Sequence, residues 1–191
     1  MHEGAAVLDD GFLAGGLVEL RDLKRNELNG LRGFCLGQTE AQRGDGRVGV
    51  RVNGRRDLSV RVCNLVSVLK LGGVEEKGFG VIANVHIGVG TLIVRERPVI
   101  CSGVDKPAVS DQFASLPREE QTAVLALHDA YESSQGSKSV QGIMLSNATP
   151  RSPTGNSDEA VLGLLTSRFN HSCTPNAEFL WREGSGVEEV V

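Results

Sequence analysis

The feature that most constrains the fold is a pair of alternating segments around one Asn-Gly turn. Residues 48–52 and residues 58–62 both alternate apolar and polar side chains, which is typical of strands that bury one face. Asn53-Gly54 lies between them and favours a tight connection. This stretch therefore predicts a β-hairpin within a β-rich domain.

The length of the hairpin loop decides whether the apolar residues of the two arms share a face. A two-residue loop would pair Val50 with Asp57 and place the two apolar rows on opposite faces. A three-residue loop pairs Val50 with Leu58 and Val48 with Val60, and needs the loop glycine in the left-handed conformation. We predict the three-residue loop, because it buries both rows together.

The same register fixes which charges meet on the outer face of the hairpin. It places Arg47 beside Arg61, and Arg51 beside Asp57. One interpretation is a solvated face with a single modest ion pair. The other is a contact surface for an acidic partner, and the sequence leaves both open.

Short strands and turns on either side of the hairpin predict a small N-terminal domain. Residues 14–71 resemble SH3-like or Tudor-like β-barrels in their repeated strand–turn pattern, which is a likeness of architecture and indicates no ligand. Residues 1–13 are predicted to be a flexible N-terminus. Leu71-Gly72-Gly73-Val74 is predicted to be the boundary of a second domain, residues 74–191.

The second domain is predicted to combine strands with one helical region. Residues 81–83 and 91–94 have the apolar character of strands. Ser115 is a candidate N-cap and Pro117 suits a first helical turn, so we predict a helix that continues to Glu132. The predicted fold class is mainly β, of the α+β type.

Composition excludes several functional classes. A net charge of −4 gives no overall attraction to nucleic acid or anionic membranes, and no apolar stretch is long enough to span a bilayer. Met1–Asp10 lacks the pattern of a signal peptide. We therefore predict no membrane association, no clear nucleic-acid binding, and a location in the nucleus or cytoplasm. No metal site is predicted, because the cysteines form no C-x-x-C pair; they are Cys35, Cys63, Cys101 and Cys173.

Two segments carry residue types that suit a binding site. The first is Glu76-Lys77-Gly78-Phe79-Gly80, which continues through an apolar strand to Glu96-Arg97-Pro98. By itself it is more typical of an ordinary turn before a strand, since no helix follows as a dinucleotide site requires. The second is residues 167–177, with the core Asn170-His171-Ser172-Cys173. Its chemistry fits a tight polar turn and a ligand-binding loop equally well.

In this order, and with a helix between them, the two segments resemble the SET family of protein-lysine methyltransferases. The first matches the pattern G-x-G, apolar-Ala, I-x-x-G and E-x-P, and the second matches R-x-x-N-H-S-C-x-P-N-A. The likeness covers about Val74 to Val191, in the split-domain variant with a helical insert, here about residues 105–140. It implies a SET β-fold, S-adenosylmethionine as methyl donor, and a protein lysine, histone or non-histone, as acceptor.

The resemblance also implies which residues bind the donor. The glycine-containing segment would wrap the donor through its backbone, and the polar segment would line the pocket and contact the adenosyl part. One asparagine, at the position where split-domain members place another donor contact, would add a weaker contact. The residues of the glycine-containing segment are Lys77, Gly78, Phe79 and Gly80. Those of the polar segment are Arg168, Phe169, Asn170 and His171, and the single asparagine is Asn147.

A catalytic tyrosine is the part of the family pattern that this sequence lacks. The family places it in a G-E-E-L-x-x-x-Y stretch after the polar segment, whereas the single tyrosine, Tyr131, precedes that segment. Val187–Val191 reads as a strand that stops without a successor and leaves an exposed edge. We therefore expect a C-terminally truncated SET domain that has no catalytic residue and is inactive as this chain. The alternative is an interaction module whose barrel binds an acidic or protein partner.

Overall fold

The protein has a mainly β fold with a smaller helical part, which confirms the predicted class. The computed structural model describes residues 11–103, 108–132, 136–151, 159–182 and 186–191, so most of the predicted flexible N-terminus lies outside it. The strands are β1 Leu17–Leu20, β2 Arg32–Cys35, β3 Arg47–Arg51, β4 Leu58–Arg61, β5 Leu65–Ser67, β6 Leu69–Val74, β7 Gly78–Ala83, β8 Val94–Glu96, β9 Ile100–Ser102, β10 Thr149–Pro150, β11 Ala160–Leu162, β12 Phe179–Arg182 and β13 Val187–Val190. The α-helices are α1 Glu40–Gly44, α2 Ala108–Ser115, α3 Arg118–Leu125 and α4 Val140–Asn147, and 3-10 helices span Asn26–Leu28, Val62–Asn64 and Thr166–Arg168.

The N-terminal region is a five-stranded antiparallel sheet with a core of its own. Its strand order is β4-β3-β2-β1-β5, so the fifth strand returns to pair with the first. The core is made of buried residues that alternate along the strands, namely Phe12, Val18, Leu20, Leu28, Cys35, Val48, Val50, Val52, Val60 and Leu65. Since β4 and β5 are both edge strands in this hydrogen-bonded order, closure into an SH3-like barrel stays a prediction.

The predicted hairpin register is confirmed. Val48 pairs with Val60 and Val50 pairs with Leu58 in the antiparallel β3–β4 pair. Gly54 has a φ of 72°, which glycine adopts without the steric cost that other residues meet. The hydrophobic pattern was sufficient to predict the register, because a shift of one residue would have exposed an entire row of apolar side chains.

The N-terminal sheet packs directly onto the rest of the chain. Leu13, Leu17 and Phe34 belong to the larger hydrophobic core, and the backbone N–H of Leu17 donates to the carbonyl of Ile93 at 2.9 Å. The predicted boundary at residues 71–74 lies inside β6, which pairs along its whole length with β7. The division into two domains stays a prediction, but the boundary segment is a strand.

The expectation of an exposed final strand is wrong. β13 lies in the middle of a three-stranded sheet of order β12-β13-β8 and is hydrogen-bonded on both sides. Its second partner, β8, lies far away in sequence and could not be inferred from a local pattern. The strand predicted at residues 91–94 begins only at Val94 as part of this sheet.

The single helix predicted from Ser115 to Glu132 is also wrong. Ser115 ends α2, Pro117 precedes α3, and α3 ends at Leu125. The chain turns at the buried Asp129, whose carboxylate accepts hydrogen bonds from the backbone N–H groups of Tyr131 and Ser139 at 2.8 and 2.9 Å. These side-chain-to-backbone hydrogen bonds, one local and one across ten residues, compete with the helical pattern. In the parts of the chain described above, no helix has the length and apolar character that a bilayer crossing needs.

Candidate functional site

The structure brings the two motif segments into direct contact. A Cβ atom at Gly80, on β7, would collide with the side-chain amide of Asn170 and lie 3.2 Å from the carbonyl oxygen of Arg168. Only glycine therefore allows the polar segment to pack against β7 at this point. Residues separated by ninety positions in sequence form one surface.

A second contact joins the ends of the two segments. The Lys77 ammonium group donates a hydrogen bond to the carbonyl oxygen of His171 at 3.0 Å. The imidazole of His171 is exposed, and its Nε2 lies 3.4 Å from Sγ of Cys173. Among the described residues, no group of three or more His, Cys, Asp and Glu side chains is arranged to hold a metal ion.

The turn that leads into the polar segment is held by a carboxylate from β8. Glu96 accepts hydrogen bonds from the backbone N–H groups of Leu164, Leu165 and Thr166 at 2.9–3.0 Å, and from the Thr166 hydroxyl at 3.1 Å. A Cβ at Gly163 would collide with both Glu96 and Thr166. The carboxylate thus sets the start of the 3-10 helix that carries Arg168.

Burial makes this carboxylate harder to ionise. Desolvation raises the pKa of Glu96 to about 7, although its hydrogen bonds act in the opposite direction, and the negative charge of Glu188 adds to the rise. Burial also raises the pKa of Glu188, which is 3% exposed and accepts a hydrogen bond from the Thr149 hydroxyl. Two carboxyl groups in this part of the core therefore favour their neutral forms more than free glutamates do.

Arg168 supplies an unsatisfied donor at the same place. Its Nε is buried and has no hydrogen-bond partner among the described residues. Burial lowers the pKa of the Arg168 guanidinium. A buried N–H without a partner costs free energy, so an acceptor on a bound ligand would stabilise it.

Aromatic side chains border the site. Phe169 is half-buried against the main core and meets Phe179 edge-to-face, with ring centroids 5.8 Å apart and an interplanar angle of 78°. Phe79 on β7 is 46% exposed, which is unusual for a large apolar side chain. The predicted residues Gly78 and Phe79 lie at the start of β7, whose second edge pairs with no strand of the described chain.

Asn147 lies beside the polar segment at the end of α4, after the predicted helical insert. Its amide donates to the carbonyl oxygens of His128 at 2.6 Å and Ile143 at 2.7 Å, so both amide hydrogens are used within the protein. Its backbone carbonyl accepts from the Ser167 hydroxyl at 3.4 Å. The structure therefore places Asn147 next to residue 167, while one of its side-chain donors ties α4 to His128 in the insert.

Tyr131 is the one tyrosine of the chain, and it lies in the insert. It follows α3 and is 66% exposed. Its backbone N–H, rather than its hydroxyl, makes the hydrogen bond to Asp129. No observation assigns the phenol a role in the site.

Sequence reasoning assigned no role to the residues that shape the turn before Arg168. These are Glu96, Gly163 and Thr166, which form one hydrogen-bonded and tightly packed unit. Glu96 was visible as the glutamate of the E-x-P pattern. Its partners were not, because nothing in the sequence links residue 96 to residues 163–166.

A comparison with known protein families identifies the family of this chain. Residues 78–190 match the model of the SET domain, which is more than half of the chain and includes the polar segment and the first segment from Gly78 onward. The chain belongs to the SET family. β7, the insert and β13 are therefore parts of a SET domain, and the predicted family is confirmed.

One curated relative supports the same assignment. Over 114 residues the chain is 33% identical to a protein of Schizosaccharomyces pombe described as histone-lysine N-methyltransferase set5. The match covers 60% of this chain and 34% of the relative, so the chain spans about a third of the length of the curated relative it matches. No solved structure matches the chain.

Proposed function

We propose that this SET domain is a protein-lysine methyltransferase domain that binds S-adenosylmethionine between β7 and the segment 168–171. The observation that supports it most directly is the contact of Gly80 with Asn170, which joins the two motif segments into one surface. Membership of the SET family supports the reaction class, because SET methyltransferases typically use this donor. The proposed contacts are those predicted above, with Lys77, Gly78, Phe79 and Gly80 on one side and Arg168, Phe169, Asn170 and His171 on the other.

The chemistry of the residues present suits this donor. S-adenosylmethionine carries a carboxylate and adenine nitrogens that accept hydrogen bonds, and the buried Nε of Arg168 is a donor in need of an acceptor. The exposed Phe79 and the half-buried Phe169 offer apolar surface for a ring. Asn147 contributes to the proposal mainly through its position beside Ser167, since its amide hydrogens are already used.

The acceptor lysine sets the physical difficulty of the reaction. S-adenosylmethionine supplies an activated methyl group when bound, and the lysine amine must be neutral to attack it. A free lysine has a pKa of about 10.4, so neutralising it at pH 7 costs roughly 4–5 kcal/mol. An apolar channel lowers that cost by disfavouring the ammonium form, and alignment of the two reacting atoms adds further acceleration.

We infer that these 191 residues bind the donor and transfer methyl groups slowly or not at all. The family completes the lysine channel with a tyrosine, and the one tyrosine here, Tyr131, is exposed in the insert. A protein lysine remains the proposed acceptor, with histone tails as the first substrates to test because the relative is described as a histone-lysine N-methyltransferase. The nucleus or the cytoplasm remains the proposed location.

The test separates donor binding from methyl transfer. To measure transfer, the chain is incubated with S-adenosylmethionine that carries a labelled methyl group, together with core histones and a panel of lysine peptides. To measure binding, the same preparation of the chain is titrated with the donor alone by calorimetry. We expect binding that Asn170→Ala abolishes and no transfer above background. Asn26→Ala, at an exposed position of the first 3-10 helix in the N-terminal region, is the matched control and should bind normally.

Two results would contradict the proposal in different ways. Failure of the wild-type chain to bind the donor would remove the proposed site. Methyl transfer at rates typical of enzymes would leave the site but disprove the inferred need for a further tyrosine.

A further inference from the structure

A cavity of about 430 Å³ lies on the N-terminal sheet, in the region that the predicted SET function does not use. It is bordered by the outer face of the β3–β4 hairpin and by the loop after β1. Its lining residues are Asp22, Leu23, Lys24, Arg25, Leu28, Arg47, Ser59, Val60, Arg61 and Asn64. This volume is within the range of pockets that hold small ligands or a few side chains of a peptide.

The cavity is strongly cationic. It has four cationic side chains and one carboxylate, Asp22. Arg25 is paired with Glu27 at 2.8 Å, but Lys24, Arg47 and Arg61 form no ion pair within the described residues. An anionic ligand would therefore meet three cationic side chains that have no ion-pair partner among the described residues.

Two of these cations face each other at an energetic cost. Arg47 and Arg61 are directly opposite in the β3–β4 register, where like charges destabilise a strand pair. Arg47 is held in place by its Nε, which donates to the Ser59 hydroxyl at 3.1 Å. An anion between the two arginines would turn this repulsion into two attractions.

The loop on the other side of the cavity is fixed before any ligand binds. Asp22 has a φ of 55°, which is uncommon for a residue other than glycine. Asn64 donates to the carbonyl oxygens of Arg21 and Asp22 at 3.0 and 2.9 Å, and Asn29 accepts from the N–H of Leu23 at 2.8 Å. A pre-formed loop loses little entropy when a ligand binds.

The lining also discriminates between classes of anionic partner. Leu23 gives the cavity a half-buried apolar part, which would lie against an aliphatic side chain, whereas Leu28 and Val60 line the cavity from the buried core of the sheet. No lining residue is aromatic, so the stacking platform that single-stranded nucleic acid prefers is absent from this cavity. The net charge of −4 further disfavours a long polyanion. These features favour a short acidic peptide.

We propose that this cavity binds an acidic peptide segment in which an aliphatic residue is flanked by two carboxylates. Arg47 and Arg61 bind one carboxylate, Lys24 binds the other, and the aliphatic side chain packs against the half-buried Leu23. The site is independent of the proposed methyltransferase function.

The test is fluorescence anisotropy of a labelled peptide containing Glu-Leu-Glu, titrated with the full chain. Arg61→Glu and Lys24→Glu should each weaken binding about tenfold or more, because an attraction becomes a repulsion. Arg56→Glu is the matched control, since it makes the same charge change at an exposed position of the same hairpin outside the cavity. It should change the affinity less than about twofold. A peptide with glutamine in place of both glutamates should not bind.

Other outcomes would overturn the proposal. Equal losses with Arg61→Glu and Arg56→Glu would show non-specific attraction to the whole face, and equal binding of the glutamine peptide would remove the role of charge. Tighter binding of a single-stranded or duplex oligonucleotide would make nucleic acid the partner. Thermal unfolding of each variant shows whether a loss of binding arises from unfolding, and the two independent reversals keep the test decisive if one variant fails to fold.

Discussion

The proposed donor site and the basic cavity are built in opposite ways. At the donor site, buried groups fix the loops. The Glu96 carboxylate accepts hydrogen bonds from the backbone N–H groups of the turn before Arg168, and the absence of a side chain at Gly80 leaves room for Asn170. At the cavity, strand register fixes the positions of Arg47 and Arg61, while the charged groups themselves remain open to solvent. Substitutions of the buried groups at the first site, Glu96 and Gly80, should therefore change both folding and binding, whereas substitutions at the cavity should change binding alone.

The largest expected effect is that of Glu96→Ala. It would leave three backbone N–H groups and one hydroxyl without their acceptor, so we expect the free energy of unfolding to fall by about 3–5 kcal/mol. Urea unfolding measures this loss. Glu75→Ala, at an exposed glutamate, is the control and should stay within about 0.5 kcal/mol. A similarly small effect at Glu96 would break the contrast between the two regions.

The second prediction concerns pH. The unfolded chain loses the Glu96 proton near pH 4.5, whereas the folded chain keeps it until about pH 7, so rising pH favours the unfolded state in between. The contribution of this group to stability is complete below pH 4.5 and is lost by up to about 3 kcal/mol as the pH passes 7.

This pH dependence is measured as the difference in urea stability between the wild type and Glu96→Gln, at several values between pH 5 and 8. Burial also raises the pKa of Glu188, so this group lowers stability with rising pH in the same way. Adding Glu188→Gln to Glu96→Gln should therefore reduce the pH dependence of stability further. A difference that stays constant, or grows with pH, would contradict the assigned direction.

Gly80→Ala should have an intermediate effect on folding and a complete effect on donor binding. The added methyl group would collide with Asn170, which costs about 1–3 kcal/mol if the polar segment shifts to make room. Gly73→Ala is the matched control on the neighbouring strand, where a Cβ would meet nothing within 4 Å. Unfolding and donor titrations on both variants sharpen the comparison, and normal donor binding by Gly80→Ala would separate the packing of the two segments from function.

The smallest effect is expected on the outer face of the hairpin. Arg51 and Asp57 form a two-pronged ion pair with N–O distances of 2.9 and 2.6 Å, but both side chains are about half exposed. A double-mutant cycle with alanine should therefore give a coupling of about 0.2–1 kcal/mol that falls at high salt. A coupling above about 2 kcal/mol would contradict the description of this face as solvent-exposed with a weak ion pair.

The hairpin could be predicted from sequence because its information is local. Val48, Val50, Leu58 and Val60 bury one face only in one register, and Gly54 permits the loop that this register needs. The family motifs were equally local, and the SET assignment is confirmed. The donor contacts assigned by resemblance stay predictions.

The errors have a common origin in contacts between distant residues. The helix predicted through Glu132 ends at Leu125, because Asp129 is buried and holds the start of the next helix at Ser139. The final strand pairs with β8 from residues 94–96, so its apolar residues are covered rather than exposed. Neither partner could be identified from periodicity within one segment.

The most direct test of the account is a calorimetric titration of the chain with S-adenosylmethionine, repeated with Asn170→Ala and Gly73→Ala. The account predicts one binding site in the wild type, the same affinity in Gly73→Ala, and no measurable binding in Asn170→Ala at unchanged thermal stability. Wild-type affinity in Asn170→Ala would contradict the claim that β7 and the segment 168–171 together hold the donor.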